Sequence, residues 1–137
     1  VLSDEVAAYL VGAGLGLTTA APTPNLFTRP FPLGGPDAAV CLVVWNTDTM
    51  ETFGESLSPP AMEMQNFKVI TRDAPGNAPA ASAKAYDVYK KLRRLGPVTL
   101  GGVKYYNIKA QPPMPLSDDE KGRPRYHFDC AASKAES

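Results

Sequence analysis

Residues 38–46, AAVCLVVWN, form a near-continuous apolar run of strand length. Both parities of the run are apolar, so it reads as a central strand buried on each face. A fold built round it needs other elements to cover those faces. Fourteen prolines punctuate the rest of the chain, clustered at 22–36, 59–60 and 112–124. They mark three irregular connections, because proline lacks the N–H that helices and central strands use.

The pattern around this strand is helix, two or three strands, helix, then three strands. Ser3 is placed to cap a first helix, with Asp4 and Glu5 in its first turn, where negative charge meets the positive helix end. Val6, Tyr9, Leu10 and Ala13 recur at helical spacing. A short strand is expected at 25–29, and a long connection at 46–61, NTDTMETFGESLSPPA. Residues 62–72, MEMQNFKVITR, alternate as a strand. Met62 and Met64 share one parity and Phe67, Val69 and Thr71 the other, which predicts a bulge near Gln65–Asn66.

Residues 80–95 carry the clearest helical stripe: Ala81, Ala85, Val88, Leu92 and Leu95, with Tyr86 and Tyr89 beside it. The stripe is expected to lie on strand 38–46, and Gly96–Pro97 to end the helix. Gly101–Gly102 reads as a two-residue hairpin turn. Simple alternation after it puts Val103, Tyr105 and Asn107 on one face and Tyr106, Ile108 and Ala110 on the other. Residues 112–124 read as a loop and 125–130, RYHFDC, as the last strand. Tyr126, Phe128 and Cys130 then face the core, and residues 131–137 fray. The fold class is α+β, a mostly antiparallel sheet with helices on one face. Its 137 residues fit one domain, 1–137.

Composition narrows the function. Fourteen Lys and Arg balance fourteen Asp and Glu, so the chain is not built chiefly to grip phosphate backbones. No apolar run approaches the roughly eighteen residues of a membrane helix, and no signal-peptide pattern opens the chain; no membrane partner is expected. Residues 10–25, LVGAGLGLTTAAPTPN, resemble a dinucleotide loop only in their glycines. Such a loop follows a strand and opens a helix. Here a helix comes first, prolines forbid the second, and Leu17 stands where the third glycine belongs. Gly14 and Gly16 fit a helix stop instead.

Catalytic groups do not converge. His127 is the only histidine, and Cys130 lies at opposite strand parity, so the two cannot form a nucleophile–base pair. With two cysteines and one histidine the ligand set is too small for a zinc site. Cys41 and Cys130 read as buried free thiols. SDDE at 117–120 lacks calcium-loop spacing. KKLRR at 90–94 reads as a solvated face that suits the helix dipole. No enzyme activity, cofactor or metal is expected.

In its overall pattern the chain resembles the tail terminator proteins of long-tailed bacteriophages, also called minor capsid or tail completion proteins. The resemblance rests on VAAYLVGAGLG, NLFTRPFP, AVCLVVW, FKVITRD, AKAYDVYKKLRRL and AQPPMPLSDDEKGRPRYHFDC, above all on TRD at 71–73 and D-x-x-G-R at 119–123. It implies a virion protein assembled in the host cytoplasm at the head-proximal end of the tail. Such proteins form a ring, usually of six, that ends tube growth and meets the head-completion or stopper protein. The partners implied are other copies of the chain, the tail tube protein and that stopper, with DNA only as passing cargo. Two alternatives stand beside it: a head-side connector or stopper subunit, and a small-molecule-binding α+β module.

Within this frame Met50, Phe53 and Leu57 are expected at a contact between protomers or with the tube, since they would otherwise expose apolar area. Asp48, Glu51 and Glu55 are expected to face the channel, where negative charge keeps DNA sliding. The 112–124 loop, with Pro112, Met114, Leu116, Asp119 and Arg123, is the other candidate interface.

Overall fold

The computed structural model describes residues 2–20, 24–31, 35–50 and 62–135. Helix α1 (Leu2–Val11) is followed by β1 (Leu26–Phe27), β2 (Ala39–Met50) and β3 (Met62–Arg72). Helix α2 (Ala78–Leu92) leads to β4 (Arg94–Leu95), β5 (Val98–Leu100), β6 (Val103–Ala110), β7 (Met114–Leu116) and β8 (Arg125–Ala135). The eight strands form one sheet in the order β1-β2-β3-β8-β6-β4, with β5 on β6 and β7 on β8. Every pairing is antiparallel except the short parallel one between β1 and β2.

Both helices cover the same face. Leu2, Val6 and Leu10 of α1 recur every fourth residue, so one stripe of the helix is buried. Val88 and Leu92 of α2 enter the same core as Val40, Leu42, Phe67, Val69, Phe128 and Ile108 of the sheet. The architecture is the α+β sandwich that the pattern predicts. The other face of β2 holds a smaller cluster of Phe27, Ala39 and Cys41, with Phe31, Val43 and Ile70 against it. Residues 39–42 are thus buried on both sides and Val43 and Val44 half-buried, while Ala38 is exposed, and the strand does not form the middle of the sheet.

Several expectations are corrected. Helix α2 lies over β8, β3 and β6, and α1 lies on β2. The unbroken pairing of β3 with β8, from Met62↔Ala135 to Arg72↔Arg125, makes those two strands the spine. Sequence 131–135 therefore pairs rather than frays. Met50 pairs with Met62, so residues 46–50, read as loop, extend a hairpin arm, and Asp48 and Met50 stand on a strand. The bulge expected on 62–72 falls on the facing strand, between Val44 and Asn46 of β2. A second bulge, between Tyr105 and Asn107, breaks the alternation of β6. It sends both Tyr105 and Ile108 into the core and leaves Tyr106 exposed. Leu95 leaves the helix stripe for β4, and residues 114–116 of the supposed loop pair with β8.

Ser3 lies buried inside α1 rather than at its cap. Glu5, two residues further on, accepts hydrogen bonds from the Tyr105 hydroxyl at 3.1 and 3.2 Å. That satisfies a phenol sunk wholly in the core, which would otherwise be costly. The glycine-rich stretch is the helix exit, with Gly14 and Gly16 at positive φ. Asn25 bonds the Gly16 carbonyl and the Thr18 N–H, and Lys84 donates to the Leu15 carbonyl at 2.8 Å. These bonds commit its backbone to the fold, in keeping with its reading as a helix stop.

Candidate functional site

The two short motifs behind the resemblance, TRD and D-x-x-G-R, meet at one end of the sheet. The Thr71 hydroxyl donates to the Ala81 carbonyl at 2.9 Å and so ties β3 to α2. Arg72 is only 2% exposed. Its Nη2 donates to the Pro36 carbonyl at 2.8 Å, and its guanidinium lies 4.2 Å from the centre of the Phe31 ring. Asp73 accepts from the Ala74 N–H and the Asn77 amide, shaping the turn into α2. Its own N–H donates to the Pro124 carbonyl at 3.2 Å, which joins this turn to the second motif.

In that motif Asp119 organises a tight turn. One carboxylate oxygen accepts the backbone N–H groups of Lys121 and Arg123, both at 2.9 Å. The other accepts Arg123 Nε at 2.6 Å. Gly122 supplies the positive φ of the turn. Arg123 is as buried as Arg72, and its Nη1 reaches Asp37 at 3.4 Å. The bracket therefore fastens residues 35–37, 71–73 and 117–124 to one another. It encloses a cleft of about 350 Å³ lined by Phe31, Cys41, Ile70, Arg72, Arg123 and Arg125.

The electrostatics follow from this burial. For Asp119, desolvation alone would raise the pKa. The hydrogen bonds from Arg123 and Lys121, with the Arg123 charge, outweigh it and lower the pKa. Arg72 is lowered by desolvation and by the like charge of Arg123. An Arg123→Leu variant is expected to lose about 2–3 kcal/mol, less than a fully buried pair would cost, because both carboxylates keep some water. The depressed Asp119 pKa sets the sign with pH. Its contribution is complete above the unfolded carboxylate value of about 3.9 and is lost as pH falls towards the folded one. The stability gap between native and variant chains in urea unfolding should therefore narrow below about pH 4; a gap that holds at acid pH would place its origin elsewhere.

The remaining candidates scatter. Met114 is 60% exposed and Pro112 is exposed, while Leu116 is half-buried on β7. Asp119 and Arg123 are spent on each other. Phe53, Leu57, Glu51 and Glu55 lie outside the described residues, and Asp48 and Met50 are placed by backbone register alone. Among the described residues no helix is long and apolar enough to cross a membrane, and no three His, Cys, Asp or Glu gather as a metal site would need.

His127 and Asp129 share the strand parity opposite Phe128 and Cys130, which are in the main core. Asp129 meets Lys68 at 3.7 Å across the strand pair. Cys41 and Cys130 are free and buried. Burial pushes the Cys41 thiol up to about 12, despite opposing hydrogen bonds and the Arg72 charge, and it also raises Cys130. Neither resembles an activated nucleophile, which needs a lowered pKa.

One surface was underread in the sequence. Lys90, Lys91, Arg93, Arg94, Lys104 and Lys109 are all exposed. The first two lie in the last turn of α2, but Arg94 and Lys109 stand directly opposite each other on β4 and β6. The strand pairing, not the helix, gathers them.

No family model matches the chain. No curated protein matches it at a significant level. Its fold is similar to that of a chain in the structure described as "Virion of native gene transfer agent (GTA) particle", with a TM-score of 0.59 and 14% identity, over 98% of this chain and 95% of that one.

Proposed function

We propose that this chain is a structural virion protein that forms a ring on the end of a phage tail tube, ends tube polymerisation and joins the tail to the head-completion complex. The observation that carries the reading is the fold shared with a chain of a gene transfer agent virion along nearly the whole of both chains. The resemblance of TRD and D-x-x-G-R to tail terminators supports the finer assignment, and both motifs serve one structural bracket. The role needs rigid, self-complementary surfaces and no catalytic step. It suits a chain in which Asp119, Arg123 and the Arg72 Nη2 are bonded into one bracket. It also suits zero net charge beside passing DNA.

In particles assembled without this chain, tail tubes are expected to outgrow their normal length and to remain headless. Electron microscopy of the tails reads both. Tubes of normal length joined to heads would overturn the assignment.

A further inference from the structure

We propose that the cleft enclosed by the bracket is a receptor for one carboxylate carried on an apolar stem, held between Arg72 and Arg125. The site stands whether or not the chain forms a ring.

Arg72 is buried without a counter-charge. It is 2% exposed, yet among the described residues no carboxylate lies within ion-pair distance of it. It donates to the Pro36 carbonyl and lies on the Phe31 ring, and neither group carries a charge. Its Nε–H is buried with no hydrogen-bond acceptor among the described residues. Such a group has given up water without a replacement, which is costly. Arg125 adds to the cost, because it stands directly opposite Arg72 in the β3–β8 register. Register partners project to one face, and like charges so placed repel. Arg125 spends its Nε and Nη2 on Ser117 and, among the described residues, makes no ion pair either. Arg123 differs, since Asp119 and Asp37 already face it. The acids of the bracket are thus used on Arg123, and the Arg72–Arg125 pair is left cationic. An oxyanion between the two turns their repulsion into two charge-assisted contacts.

The lining of the cleft selects the anion. Arg72 and Arg125 both line it, and its volume of about 350 Å³ is at the small end for ligand sites, which run from about 300 to 1,000 Å³. Phe31 and Ile70 line it as well and suit an apolar stem behind the charged head. Asp118 and Glu120 also border it and are exposed. They repel a ligand of many charges, such as a run of DNA phosphates, more strongly than one of a single charge. A carboxylate brings one charge and two oxygens, one for each guanidinium. A free small acid and an Asp or Glu side chain of a docking protein both present this chemistry.

The test follows the Arg72 Nε–H by nitrogen NMR in the native chain, its signal assigned through bonds from the Arg72 backbone. Sodium butyrate is added at constant ionic strength, with sodium chloride as the control. The signal should shift saturably with butyrate and stay in place with chloride. Arg125→Gln should keep the fold, because it removes one of two repelling charges, and should weaken butyrate binding at least about tenfold. No saturable shift in the native chain, or an unchanged affinity in folded Arg125→Gln, would overturn the site. Inorganic phosphate or a short DNA duplex that shifts the signal at lower concentration than butyrate would overturn the carboxylate assignment. A peptide with a single Glu among apolar residues separates the two sources. Binding tighter than that of butyrate supports the site as a receptor for a docking protein's side chain, and binding no tighter supports it as a receptor for a free acid.

Discussion

Replacing Phe128 with alanine is expected to cost about 3–5 kcal/mol, the range for deleting a fully buried aromatic side chain. Phe128 is 2% exposed in the middle of β8, and its ring meets Tyr89 of α2 edge-on at 5.8 Å between centroids. The loss has two parts. The aromatic surface returned to water forfeits its burial, and the space left beneath α2 cannot close, since β3 pairs with β8 at Phe128 and β6 and β7 hold its other side at Cys130 and His127. Small domains hold only about 5–15 kcal/mol in all, so the variant should unfold at a much lower urea concentration. The measurement also decides where the helix sits. Had α2 packed on β2, as the apolar run at 38–46 implies, Phe128 would be peripheral and the change would cost less than about 1 kcal/mol.

The reason the sequence misplaces α2 is physical. An apolar run reports burial on both faces, and the first residues of β2, Ala39–Leu42, are indeed buried on both, by the main core under α1 on one side and by the Phe27–Cys41 cluster on the other. Burial on two faces does not require a central position. The true spine, β3 and β8, mixes apolar and polar residues, because its second face carries the half-buried Lys68, His127 and Asp129 rather than a continuous apolar layer. Helix α2, with its stripe at Ala81, Ala85, Val88 and Leu92, was legible from local periodicity alone, and so was the hairpin at Gly101–Gly102. Local turn chemistry and side-chain period settle such elements.

What escaped the sequence depends on partners distant along the chain. The bulges in β2 and β6 insert one residue against an unbroken neighbour, and no local pattern says which of two paired strands carries the extra one. Residues 131–135, small and polar, look like a tail until β3 is seen to pair with all of them. The motifs at 71–73 and 119–123 were visible as words but not as a single bracket, since 45 residues separate them. Arg123, read as a loop side chain available to a partner, is instead held under that bracket. The cationic edge was likewise divided between a helix end and two strands, and only the Arg94–Lys109 pairing joins them.

A Gly96→Ala variant is expected to lose about 3 kcal/mol or more, combining backbone strain with overpacking. Gly96 links β4 to β5 with φ at +132°, a conformation side chains rarely adopt. A Cβ there would stand 2.7 Å from the Asn107 Cα and 2.8 Å from the Tyr106 carbonyl oxygen. Both are backbone atoms at the β6 bulge, so neither can swing aside as a flexible side chain would. Gly122→Ala is the control. Its φ is +73°, but nothing lies within 4 Å of the added carbon, so only the left-handed strain of about 1–2 kcal/mol remains. The difference between the two variants isolates the steric part. If Gly96→Ala unfolds no more easily than Gly122→Ala, the β4–β5 turn yields freely and the contact with the β6 bulge carries no steric cost. If it unfolds far more easily, the close approach to the Asn107 and Tyr106 backbone is what fixes the β4–β5 turn.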